Sequence, residues 1–306
     1  METFTLLASD GHCVAGYAWD IDAPKAIVQI AHGMGEHARR YDAVAAQLNE
    51  AGYAVFASDH RGHGATADGQ LGYMGGDGWN RVIADTYELN LLLRTRHPGK
   101  PLVLLGHSMG SMLSQQYITR HGHSIDALAL SGSPGYKNAV GRLLPGLVAR
   151  FERWRLGPEK SSELLQKLLF GGSNKPFDGP DATGFEWLSR DQDEVSRYVD
   201  DPLCGFVLTT GSLVDLFAGA KTAQDPECVA KIPKSLPTYV FAGTEDPVHG
   251  GQQDINRMLD AWRRHGMEQL EHRWYAGGRH EVFNETNRDE VIHDLVVWLD
   301  KVTERA

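Results

Sequence analysis

From the N-terminus to about residue 133, short apolar runs alternate with stretches whose apolar positions recur every three or four residues. The runs 4–8 and 13–19 flank Ser9-Asp10-Gly11-His12, which predicts a hairpin. A strand at 26–31, a helix near 41–51 and a strand at 53–58 follow. A longer helix is expected over about 79–97, with Ile83, Tyr87 and Leu91 on one stripe. Apolar runs at 102–105 and 127–130 bracket the helix-compatible stretch 111–120. Near-continuous apolar strands separated by helices predict a mostly parallel sheet, of roughly eight strands, covered on both faces.

After Ser133-Pro134 this rhythm stops, and nothing in about 135–205 reads as a buried strand. Leu144, Leu147, Val148 and Phe151 fall at helical spacing, and Leu164, Leu165, Leu168 and Leu169 make a second stripe. Gly/Pro-rich stretches at 171–176 and 178–180 follow them. A break of about 70 residues is too long for an ordinary loop. The expected organisation is an α/β core made of 1–133 and 206–306, with 134–205 inserted as a helical cap. Strands at 238–242 and 271–275 and a helix at 290–302 complete the core, the helix turning Ile292, Leu295, Val296 and Leu299 inward. No internal repeat or low-complexity tract interrupts the chain.

Composition narrows the picture. A hydrophobic share of 42% and a charged share of 23% are those of a globular protein. The net charge of −10, from 40 acids and 30 bases, argues against a nucleic-acid partner. Cys13, Cys204 and Cys228 match no metal-ligand spacing, and their odd number argues against a disulfide framework. They read as thiols in a reducing compartment. Met1-Glu2-Thr3-Phe4 lacks a basic segment and an apolar core, and no run approaches the ~20 apolar residues of a membrane span. A cytoplasmic protein is the expectation.

The chemistry begins at Gly106-His107-Ser108-Met109-Gly110, between the 102–105 strand and a helix. Strand, Gly-x-Ser-x-Gly, helix forces the serine into a tight turn with its hydroxyl exposed, and a Cβ on either side would crowd that turn. A serine hydroxyl is a weak nucleophile at neutral pH, so it needs a base, and the base needs an orienting group. Gly243-Thr244-Glu245-Asp246-Pro247 follows the 238–242 strand, and Ala276-Gly277-Gly278-Arg279-His280-Glu281 follows the 271–275 strand. The order Ser108, Asp246, His280 is that of α/β-hydrolases. Glu245 and His249 are the nearest competitors for the acid and the base, and Ser131-Gly132-Ser133-Pro134 offers no carboxylate. His32-Gly33-Met34-Gly35, after the 26–31 strand, can aim a backbone N–H at an oxyanion. His32, Glu36 and His37 are read as shaping that turn, and Arg61 as a structural anchor. His60 and His63 have no carboxylate or cysteine placed to complete a metal site.

These residues resemble the α/β-hydrolase family of monoacylglycerol lipases and bacterial lysophospholipase-like esterases, catalogued with serine aminopeptidases of the same fold. The resemblance rests on His32-Gly33-Met34-Gly35-Glu36-His37 with Arg40-Tyr41, on Ser58-Asp59-His60-Arg61-Gly62-His63-Gly64, and on the Ser108 pentapeptide. Trp187-Leu188-Ser189-Arg190-Asp191 and Asp201-Pro202-Leu203-Cys204-Gly205-Phe206 match a bacterial branch. It implies a triad of Ser108, Asp246 and His280, an oxyanion hole from the amides of Met34 and Met109, and a lipid-facing cap. It calls for no metal or organic cofactor.

The expected activity is hydrolysis of monoacylglycerols, lysophospholipids or related acyl esters, with a small-molecule acyl ester as partner and contact with lipid surfaces through the cap left open. Removal of N-terminal residues would need acids such as Glu152, Glu159, Glu163 or Glu186 to converge on an ammonium. Acyl transfer, or ligand binding without catalysis, are the other readings of the same fold.

Overall fold

The structure, a computed structural model, describes residues 1–304. Among the described residues eight strands form one sheet: β1 (Glu2–Leu7), β2 (Cys13–Trp19), β3 (Ala26–Ala31), β4 (Tyr53–Ser58), β5 (Leu102–His107), β6 (Ala127–Ser131), β7 (Thr238–Gly243) and β8 (Leu270–Tyr275). Their order is β1-β2-β4-β3-β5-β6-β7-β8. The β1–β2 hairpin and the β2–β4 pair are antiparallel; β4, β3, β5, β6, β7 and β8 run parallel. Every residue of β3 through β7 is buried, because both faces carry helices. The edge strands β1 and β8 are largely exposed, and β8 carries Glu271 and Arg273 there. Charged edges discourage further strand pairing.

The helices are α1 (Asp42–Glu50), α2 (Gly78–Arg96), α3 (Met109–His121), α4 (Ala139–Leu156), α5 (Glu163–Phe170), α6 (Gln192–Asp200), α7 (Thr210–Ala223), α8 (Pro226–Val229), α9 (Gln252–Arg264) and α10 (Arg288–Thr303). Alternate strand residues feed two cores. Val28, Val55, Val103 and Ala129 pack with Leu48 of α1 and with Ile292, Leu295 and Leu299 of α10. Ile27, Phe56, Leu104 and Leu130 pack on the other face with Ile83 of α2, Leu113 of α3, Leu213 of α7 and Trp262 of α9. No helix among the described residues is long and apolar enough to cross a membrane.

Several expectations shift at the level of helix faces. Leu91 is exposed; α2 turns Trp79, Val82, Ile83, Thr86, Leu89 and Leu93 inward instead. Buried polar groups disguise that face: Asp85 is bonded to Arg61, and the Thr86 carbonyl accepts from Gln29. Val296 of α10 packs on the core only in part. Among the described residues no strand lies between β6 and β7, and α4, α5 and α6 fill the first part of that interval. There Val148 and Leu169 pack on the core and Leu165 is fully buried, whereas Leu144, Leu147, Phe151, Leu164 and Leu168 face outward. The strand pattern returns only at β7; residues 206–237 hold α7 and α8, and α7 packs on α2, α3 and α4.

The chain passes from β3 to β4 on one side, then to β5 on the other. Such a reversal opens a crevice at the carboxyl ends of the two central strands, where ligands bind in open α/β sheets. The turns after β3 and β5 meet there.

Candidate active site

Ser108 sits between β5 and α3 with φ 51° and ψ −117°. A non-glycine residue at positive φ costs roughly 1–3 kcal/mol and persists only where its surroundings over-determine it. Here they do. The Ser108 N–H donates to the Ser131 carbonyl at 3.0 Å, and the Ser108 carbonyl accepts from the Ser111 hydroxyl at 2.5 Å and the Ser111 amide at 3.0 Å. The flanking glycines are required by contact: a Cβ at Gly106 would lie 2.6 Å from the Gly110 carbonyl oxygen.

His280 follows β8 and Asp246 follows β7, and the parallel β7–β8 pairing brings their turns side by side. The His280 Nε2 lies 2.8 Å from the Ser108 Oγ, and its Nδ1 lies 3.0 Å from both Asp246 oxygens. An ionised carboxylate only accepts, so the proton belongs on Nδ1 and the Nε2 lone pair faces the serine hydroxyl. Asp246 Oδ1 also accepts the Val248 N–H at 2.8 Å. Burial disfavours both charges, yet mutual attraction prevails: Asp246 is held below its ordinary range, and His280 is raised above its own. Gly132, at φ 53°, leaves room for His280, since a Cβ there would lie 2.9 Å from the His280 carbonyl oxygen.

The competitors stand elsewhere. Glu245 is exposed. His249 is engaged through Nε2 with the Gly243 carbonyl at 3.1 Å and through Nδ1 with the Gly251 N–H at 2.8 Å.

The turn after β3 lies against Ser108: a Cβ at Gly33 would fall 3.2 Å from the Ser108 Cβ. Met34 follows Gly33 and Met109 follows Ser108, and among the described residues neither backbone N–H has a protein acceptor. Glu36 Oε1 accepts the Gly33 N–H at 2.5 Å, and the His32 Nδ1 bonds the Gly33 carbonyl at 2.8 Å. The segment between β6 and β7 reaches both turns. Trp187 accepts the His280 N–H at 3.2 Å and sets its ring 5.1 Å from the imidazole, while Gly205 donates to the Gly35 carbonyl at 2.9 Å.

His32, His60 and His63 cluster behind this turn, with the His32 and His60 rings 4.0 Å apart. Burial keeps them neutral, His60 pushed down to about 3 and His63 to about 4. Arg61 bridges Asp85 and Asp10, each through two bonds of 2.7–2.9 Å. His37, Asp201 and Cys204 bring donor atoms within 4.8 Å of one another. His37 already bonds Asp201 at 2.9 Å, and burial pushes the Cys204 thiol up, so a cation would have to displace a bond and a proton. All the cysteines are free.

Arg40 pairs with Glu281, 241 positions apart, in a contact that the sequence does not announce. Both flank recognised motifs, but nothing in their spacing announces that they meet.

A family model described as serine aminopeptidase, S33, matches residues 22–287. A monoacylglycerol lipase of Mycolicibacterium smegmatis is 30% identical over 285 residues, covering 92% of this chain and 90% of that one. The Homo sapiens monoglyceride lipase is 25% identical over 313 residues, covering 98% and 91%. The solved structure of a thermostable carboxyl esterase from Bacillus coagulans superposes with a TM-score of 0.89 at 29% identity, covering 99% of this chain and 98% of that chain. Sharing their fold from end to end, and matched by the family model over most of its length, the chain belongs to the serine aminopeptidase S33 family of α/β-hydrolases and is a hydrolase.

Proposed function

We propose that this hydrolase cleaves monoacylglycerols, lysophospholipids or related acyl esters through an acyl-enzyme on Ser108. The observation that carries the reading is the continuous link from Ser108 Oγ through His280 to Asp246. His280 takes the hydroxyl proton as Ser108 attacks the ester carbonyl, and Asp246 holds the Nδ1–H tautomer and stabilises the imidazolium. The amides of Met34 and Met109 receive the charge on the tetrahedral oxygen, a donor of this kind contributing ~3 kcal/mol to the barrier. The imidazolium then protonates the leaving alcohol, and water repeats the cycle to release the acid. This chemistry asks for no metal or organic cofactor.

An ester fits better than an amine-bearing peptide. Glu152 is bonded to Arg155 and Ser162, and Glu186 to Asn174 and Thr183, so two of the acids able to hold an ammonium are already engaged. Residues 134–205 serve as the cap. Its α4 turns Val140, Leu143, Leu144, Leu147, Phe151 and Trp154 to solvent, with Leu164 and Leu168 of α5 also exposed. Large apolar patches on a surface mark interaction sites; this one meets the lipid surface that carries a poorly soluble substrate.

The test is a hydrolysis panel of p-nitrophenyl esters of increasing chain length, monoacylglycerols, lysophosphatidylcholine and aminoacyl amides. Turnover is expected on the acyl esters. Preference for the amides over every ester would contradict the reading.

A further inference from the structure

Two buried carboxylates, Glu36 and Glu281, and the largely buried Arg40 lie directly behind the site. Arg40 Nη1 donates to Glu36 Oε2 at 2.8 Å and to Glu281 Oε1 at 2.6 Å, and its Nη2 donates to Glu281 Oε2 at 2.8 Å. The guanidinium lies 4.8 Å from the centroid of the Tyr198 ring, contributed by the insertion. Glu36 keeps its other oxygen for the Gly33 N–H at 2.5 Å and the Tyr41 hydroxyl at 3.0 Å. Glu281 adjoins His280, and its own N–H is held by the Leu188 carbonyl at 2.8 Å.

Taking such charges out of water costs several kcal/mol per ion, and apolar residues often stabilise a fold at least as well. What this cluster supplies is geometry. One carboxylate ends on the amide of Gly33, the residue before Met34. The other belongs to the residue after the base. The Gly33–Met34 peptide is planar, so the grip of His32 on the Gly33 carbonyl also aims the Met34 N–H. His32 carries its proton on Nδ1 because the His60 N–H, at 2.9 Å, occupies Nε2. Glu36 fixes the peptide before it, and Arg40 ties Glu36 to the turn of His280.

We infer that Arg40 is a positioning residue: by clamping Glu36 and Glu281 together, it holds the oxyanion turn and the base-bearing turn in one register. The inference rests on the proposed serine mechanism and adds a coupling between two of its parts. Lysine keeps the charge at this position but lacks the planar fork that spans two carboxylates.

The test compares Arg40→Lys, Glu36→Gln and the double variant on a short soluble p-nitrophenyl ester, with rates normalised to folded protein. Arg40→Lys is expected to lower kcat about 10- to 100-fold with KM little changed. Phosphonylation of Ser108 should slow in step, since it uses the same donors and base. The double variant should be scarcely slower than the worse single one, because either change opens the same clamp. Wild-type kcat and phosphonylation rates in the folded single variants, or effects that multiply in the double variant, would overturn the inference. If Arg40→Lys does not fold, Glu36→Gln decides alone: a kcat loss at unchanged KM supports the clamp, and unchanged kcat refutes it. Failure of the underlying mechanism looks different, since the wild-type chain would then be inert to both ester and phosphonate.

Discussion

Gly110 lies so close to Ala31 that a Cβ at position 110 would fall 2.0 Å from the Ala31 carbonyl oxygen. This contact joins the first turn of α3 to the end of β3, and so sets the Ser108 turn against the turn carrying Met34. Neither partner in the clash is a movable side-chain tip; the next atoms met are the Ala31 carbonyl carbon at 2.5 Å and the His32 carbonyl oxygen at 2.6 Å. Gly110→Ala is therefore expected to destabilise the fold by at least ~1–3 kcal/mol and to depress activity further by spreading the two turns. Denaturant midpoints and kcat on a soluble ester check this; a variant matching the wild type in both would contradict it.

The expected pH profile follows from the proposed role of His280. In the proposed mechanism His280 must be neutral to take the Ser108 proton. Burial opposes its charging, but the Asp246 carboxylate at 3.0 Å outweighs that and raises its pKa above 6.5. The acid limb of kcat/KM is expected above pH 6.5. Asp246→Asn should move the limb to lower pH and cut the plateau by about 10⁴-fold. A limb that stays in place would contradict the assignment. Stability has the matching signs: the raised His280 contributes fully below 6.5 and loses its contribution as pH climbs through its folded value. The lowered Asp246 contributes above 3.8 and loses its contribution as pH falls.

Arg61 should matter for folding rather than turnover. It is buried between Asp85 of α2 and Asp10 of the hairpin turn, and touches none of Ser108, Asp246 or His280. Removing one partner of a buried pair leaves an uncompensated charge, costing ~3 kcal/mol or more. Arg61→Met is expected to lower the thermal midpoint while the folded fraction keeps its kcat. Equal stability to the wild type would contradict the anchor role.

What could be read in advance divides along physical lines. Strand ends are legible because turns after buried strands need glycine: Ser108, Asp246 and His280, which the fold brings together, each follow a continuous apolar run or a glycine-flanked turn. Helix faces were harder. Of the stripe on α2, Ile83 is buried and Tyr87 packs on the core in part, but Leu91 is exposed, because the inward face runs through Asp85 and Thr86, polar in sequence and buried against Arg61 and Gln29. The Leu144, Leu147, Phe151 stripe has the right period, but a period does not say whether a helix turns its apolar side to a core or away from one. The Arg40 clamp was invisible because its meaning lies in a contact between distant segments.

The outward face of α4 gives a separable expectation. Replacing Leu147 and Phe151 together by serine removes apolar area from that face while leaving the buried Ala149 and Glu152 in place. Co-sedimentation with phosphatidylcholine vesicles and turnover of dispersed long-chain monoacylglycerol should both fall. Turnover of a soluble short-chain ester should not. Unchanged vesicle binding, or equal losses on both substrates, would contradict the docking role.

The most direct measurement is reaction of the intact protein with a serine-directed phosphonate, followed by mass spectrometry of the peptide carrying residue 108. A single adduct on Ser108, complete loss of ester turnover with it, and no adduct or turnover in folded Ser108→Ala are the results expected. Labelling at another residue, or ester hydrolysis that survives in Ser108→Ala, would contradict the central claim.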